Sequence, residues 1–169
     1  MVVDRISDEM AGLTTEARNL EYRELDLLST GEITFIGGKG YLIGDEGSGH
    51  WIGAERIRRS IRFFEENYRD EALGNSLKRF YGIVDWREIL PIVYSAEGRS
   101  QIARAAQTVS DVATGGSQLA IEIVQKAVAD LARLYEVARR ASIADELIVV
   151  GGTLTEASHL RKMFGDFTK

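Results

Sequence analysis

The chain has no cysteine, one proline and only two histidines in 169 residues. Without cysteine there is no disulfide, no thiolate metal site and no cysteine nucleophile. That absence fits the cytoplasm, which is the expected location. The single proline, Pro91, leaves long helices free of their commonest interruption. No run of 18 apolar residues occurs, so no membrane-spanning helix is expected. Residues 1–10 carry three acids and no apolar stretch, unlike a secretory signal. Positive charge is also in deficit: the net charge is −5. Such a surface repels phosphate backbones and anionic lipid, so neither nucleic acid nor a membrane is expected as a partner. His50 has no second nitrogen ligand at metal-site spacing, and no metal ligand is assigned. Ser48 lacks a nucleophile-elbow context, which excludes a Ser–His–Asp triad.

What is present is an ordinary globular composition, 44% hydrophobic and 28% charged, with a mean hydropathy of −0.13. A chain of this length buries roughly 70% of the surface it exposes when unfolded. Its periodicities fall into successive regimes. Residues 26–29 and 32–36 are short apolar runs parted by Thr30-Gly31, read as two strands and a turn. Residues 41–43 read as a further short strand between glycine turns. Ile52, Ile57, Ile61, Phe64 and Tyr68 then recur at helical spacing, giving a helix of about five turns that starts near Ser48. Residues 70–141 are helical. Ile102, Ala106, Val109 and Ala113 mark one helix stopped by Gly115-Gly116, and Ser117 caps a long helix through Ala138. At 146–150 the pattern changes to a continuous apolar, β-branched run, read as a buried strand. Gly151-Gly152 closes it, and Thr153 to Glu156 forms a capping box for a last helix through Leu160 and Phe164.

Two stretches can carry chemistry. Gly151-Gly152-Thr153 is either a tight turn needing positive φ or a place where a phosphate or ribose lies against bare backbone. The second stretch, residues 37–53, reads GGKGYLIGDEGSGHWIG, with seven glycines in seventeen positions. Asp45-Glu46 lies at a helix mouth, where acids either complement the helix dipole or accept hydrogen bonds from ligand hydroxyls. A buried carboxylate gripping two hydroxyls discriminates strongly, because a ligand lacking them leaves it unpaired. His50 and Trp51 read as packing at the helix start, and His159 as surface.

That stretch resembles the Gly-Gly-Trp-Gly-x-x-x-Gly-Asp-Glu-Gly-Ser-x-Tyr-Trp-Ile-Gly signature of N-acetylglucosamine kinases and the related BadF/BadG/BcrA/BcrD ATPases, in the actin–hexokinase–Hsp70 superfamily. The resemblance extends over residues 25–164. It implies an α/β fold: a single actin-like (ribonuclease H-like) lobe, with a small sheet and a large helical layer. Residues 1–36 would form short strands and linker, 37–53 the sugar-site motif, 54–141 the helical layer and 146–164 the adenosine motif. It further implies an ATP-dependent sugar kinase using ATP and Mg²⁺, acting on a hexose or amino sugar such as N-acetylglucosamine. Asp45, Gly38, Lys39 and Gly40 would bind the sugar. Thr30, Gly31, Gly151, Gly152 and Thr153 would meet the nucleotide, and Asp4 would supply the catalytic carboxylate. The sequence departs from the family at Lys39, where a tryptophan is usual, and at Ser29-Thr30-Gly31-Glu32, where Gly-Thr-Gly-Ser is usual. No Asp-Gly pair occurs among these residues, so the resemblance implies that the amino-terminal lobe with its Asp-Gly-Gly turn is not among them. Cysteine's absence excludes the branch that holds an iron–sulfur cluster. The expected partners are therefore sugar, ATP, and either a second copy or a chain supplying the other lobe. The alternative reading is a non-catalytic ligand-binding or regulatory module.

Overall fold

The computed structural model describes residues 37–67, 71–141 and 158–167. Seven α-helices are formed by these residues: α1 (Gly49–Asn67), α2 (Ala72–Tyr81), α3 (Ile89–Val93), α4 (Gly98–Arg104), α5 (Val109–Thr114), α6 (Gln118–Ala141) and α7 (Ser158–Phe167). A 3₁₀ turn at Trp86–Glu88 precedes α3. The strands expected at 26–29, 32–36 and 146–150 lie outside the described residues, as do Asp4, Thr30, Gly31, Gly151, Gly152 and Thr153. Among the described residues the one β feature is an antiparallel bridge between Gly40 and Gly44.

The chain divides into two compact units, one of residues 1–45 and 133–151, the other of residues 46–132 and 152–169. The regular elements among the second unit's described residues are all helices. Leu73, Val109, Ile123, Val124, Ala127 and Leu160 form one buried cluster with Ile52. Leu77, Ile83, Ile89 and Ala105 form another, to which Ile57, Ile61 and Phe80 add from the helix faces. Thus α1 contributes Ile52 to the first cluster and Ile57 and Ile61 to the second, because its apolar stripe runs along the inner face.

Helix ends follow local chemistry. Ser48 Oγ accepts from the Trp51 amide at 3.0 Å and caps α1. Glu71 caps α2, accepting from Leu73 N at 2.6 Å, and Gly82 ends that helix at φ +67°. Asp85 and Glu88 form a reciprocal capping box over the 3₁₀ turn. Ser117 Oγ accepts from Ala120 N at 3.3 Å at the head of α6 and also donates to Glu71 Oε1. One hydroxyl–carboxylate pair therefore serves the starts of α2 and α6 together.

The helix expected through Ile102, Ala106, Val109 and Ala113 is broken in two. α4 stops at Arg104 and α5 starts at Val109. The Ala105 carbonyl would accept from Val109 N in an unbroken helix, but it accepts from Arg56 Nη1 at 2.5 Å instead. Val109 N turns to Ala106 O at 3.0 Å, and the ladder tightens to i→i−3 bonds across 105–109.

Candidate functional site

Residues 37–48 form an irregular, glycine-built segment. In the first unit the bridge is closed by Lys39 N to Gly44 O at 2.8 Å, with Ile43 N and Gly44 N both reaching Gly40 O at 3.0 Å. Residues 41–43 are the turn inside that bridge, which corrects the strand expected there. Leu42 and Ile43 are 81% and 83% exposed at its tip. The reason is Gly40: at φ +93° its backbone reverses the chain before a strand can extend.

The motif's glycines do different work. At Gly40 an added Cβ would meet open space, so φ alone demands glycine. At Gly47, φ is +84° and an added Cβ would lie 2.6 Å from Leu131 Cγ and 3.2 Å from Ala127 O. Conformation and close packing on α6 both exclude a side chain there. Gly53 lies within α1, where φ is ordinary, but an added Cβ would fall 1.8 Å from Ile102 O. The last glycine of the motif is thus a helix-crossing residue, letting α1 lie directly on α4.

Of the residues expected to bind sugar, Gly38, Lys39, Gly40 and Asp45 all fall on this one segment. Lys39 is exposed and Asp45 is buried, 9% exposed. His50 is buried and Trp51 packs on the cluster around Ile52. Both therefore belong to the helix start, as their spacing suggested. No group of three His, Asp or Glu side chains that could hold a metal ion occurs among the described residues. No described helix is long and apolar enough to cross a membrane.

Arg56 escaped the sequence reading. It is fully buried on α1, where Nη1 donates to Ala105 O and Nη2 donates to Ser76 Oγ, each at 2.5 Å. Ser76 Oγ in turn donates to Leu73 O at 2.9 Å. The guanidinium carbon lies 5.9 Å from the centre of the Phe80 ring. Burial lowers its pKa to about 10, which leaves it charged at neutral pH. Tyr81 beside it is pushed up, chiefly by burial, and its hydroxyl donates to Gln101 O at 2.8 Å. This cation sits at the carboxyl end of α4, where the helix dipole favours it, and fastens α1 to α2 and α4. The available signal was an arginine between Ile52 and Ile57, on the stripe that had to face inward.

The chain has the actin-like kinase fold, matching a solved structure with a TM-score of 0.65 and 25% identity over 86% of this chain and 50% of the other. That structure is from Chromobacterium violaceum and is described as a candidate N-acetylglucosamine kinase. In sequence the chain is similar to the N-acetylmuramic acid/N-acetylglucosamine kinase of Clostridium acetobutylicum, 24% identical over 136 residues, which cover 78% of this chain and 44% of that kinase. The chain spans about half the length of the relatives it matches. No protein-family profile matches it. It is similar to sugar kinases over part of their length.

Proposed function

We propose that the chain is one lobe of an ATP-dependent sugar kinase-type module and that its glycine segment forms the sugar side of the site. The observation that carries this reading is a buried carboxylate, Asp45, on a glycine-built segment, in a chain whose fold and sequence resemble sugar kinases. Asp45 accepts hydrogen bonds from the hydroxyls of a hexose or amino sugar, with N-acetylglucosamine the first candidate. Gly38 and Gly40 let the sugar approach the backbone, and Lys39 places a flexible cation at the rim where the family carries a stacking tryptophan. Thr30, Gly31, Gly151, Gly152 and Thr153 make up the nucleotide side, and Asp4 supplies the catalytic carboxylate.

ATP supplies the phosphoryl group and Mg²⁺ would enter with its phosphates. The lobe's own contribution is to bind and orient the acceptor. Transfer requires a second lobe that closes over both substrates and excludes water. An amino-terminal lobe completes the module, in the cytoplasm.

Calorimetric titration with N-acetylglucosamine, and separately with ATP–Mg²⁺, tests this. Wild type binds the sugar, and Asp45→Asn loses that affinity while retaining its circular dichroism spectrum and its response to ATP. Sugar affinity unchanged in Asp45→Asn refutes the role of the carboxylate. Heat from neither ligand refutes the kinase reading altogether.

A further inference from the structure

The glycine segment carries one charge that hydroxyl recognition does not require. Lys39 is the only lysine or arginine between residues 37 and 55, in a chain of net charge −5. Its backbone is fixed: Lys39 N donates to Gly44 O at 2.8 Å, which sets it across the turn from the residue preceding Asp45. Its neighbours are Gly38 at φ +58° and Gly40 at φ +93°. Neither has a side chain, so no adjacent residue shields the ammonium group. Lys39 is exposed, and among the described residues its side chain makes no ion pair and no hydrogen bond. One short loop therefore holds an exposed cation and a buried carboxylate.

These two groups make opposite demands of a ligand. Asp45 accepts from hydroxyls and repels an anion placed against it. The lysine ammonium only donates, and as a compact point charge it is best matched by an anionic oxygen. A neutral sugar satisfies the carboxylate and leaves the ammonium to water. Resting on the sugar-site reading above, we infer that Lys39 is the charge-selecting residue of the segment. The sugar it selects bears an anionic group, a carboxylate or a phosphate. Its hydroxyls turn to Asp45 and its anion to Lys39; the reverse orientation sets anion against carboxylate. The pair thus selects the sugar's charge and fixes which end points inward. Because the cation is exposed, the preference over the neutral sugar is modest, about threefold to tenfold, and salt weakens it.

Calorimetric titration at low ionic strength compares N-acetylglucosamine with two derivatives that keep its ring and add an anion. N-acetylmuramic acid adds a carboxylate, and N-acetylglucosamine 1-phosphate adds a phosphate. At least one of the two binds wild type about threefold to tenfold tighter than the neutral sugar, and which one does so identifies the anion. Lys39→Met removes the charge at similar side-chain length and brings the anionic-to-neutral ratio to one or below. Lys39→Arg keeps the preference. Asp45→Asn weakens neutral and anionic sugars alike. Lys39 is exposed, and circular dichroism verifies that its variants fold. A neutral sugar bound as tightly as both anionic ones, or a preference that survives Lys39→Met, overturns this inference and leaves the role of Asp45 standing. Binding of none of the three overturns both.

Discussion

Replacing Gly53 by alanine is the sharpest structural perturbation available in the motif, because two opposing effects can be weighed. Gly to Ala within a helix ordinarily stabilises by up to about 1 kcal/mol through propensity and unfolded-chain entropy. Here the new methyl would stand 1.8 Å from Ile102 O and 2.9 Å from Ile102 C. Both obstructing atoms are backbone, so no rotamer relieves them. α1 must move off α4 by about 1.7 Å before the contact becomes an ordinary van der Waals distance of about 3.5 Å. That shift also pulls the Arg56 guanidinium away from Ala105 O, one turn further along the same crossing. Overpacking costs about 1–3 kcal/mol and the strained charged hydrogen bond about 1.5–3 kcal/mol more. The net expectation is a loss of about 1.5–5 kcal/mol, read as a lower urea midpoint at unchanged slope. Gly165, within α7, is the internal control: an added Cβ there meets nothing within 4 Å. Gly165→Ala should stabilise by about 0.5–1 kcal/mol. If Gly53→Ala matches or exceeds wild-type stability, the close crossing of α1 and α4 is wrong.

Three further outcomes follow from side chains. Arg56→Ala leaves the Ala105 carbonyl buried without its donor and opens a cavity, costing about 3–5 kcal/mol, whereas Arg56→Met fills the space and should cost clearly less; equal losses in chemical denaturation would show that the charge, not the packing, matters. Ser117→Ala should cost about 1–2 kcal/mol, and less on top of Glu71→Ala than alone, since one pair caps both helices; additive losses would contradict that. Asp85 is held well below its ordinary value of 3.8, first by the Arg87 side-chain hydrogen bond and then by the Arg87 amide. A depressed carboxylate stabilises above its unfolded pKa, and that contribution is lost as pH falls through the folded value. Amide resonances of residues 85–88 should therefore report fraying only in strong acid, and Asp85→Asn should abolish the transition; fraying already near neutral pH would refute the cap.

The helical half of this fold was legible because its signals are local. Ser48 and Ser117 announce helix starts through the hydroxyl that meets an orphan amide, and the apolar stripe of α1 places Ile52 and Ile61 inward as its period requires. The break at Ala105 was not legible, because its cause lies 49 residues away in the Arg56 guanidinium that takes the carbonyl. Tyr41-Leu42-Ile43 looked like a strand because β-branched and aromatic residues favour one. Gly40, at φ +93°, reverses the chain before them, and local conformation overrode propensity. In the candidate site, the motif identified the segment, but it did not separate glycines by role. Gly40 is conformational, Gly53 is a packing residue, and Gly47 is both.

The central claim is that the glycine segment offers a sugar-binding carboxylate. Amide chemical-shift mapping during titration with N-acetylglucosamine addresses it most directly. Perturbations concentrated at residues 38–48, and absent in Asp45→Asn, are the expected result. Saturating sugar that leaves those amides unmoved, or perturbs only residues elsewhere, would contradict the account.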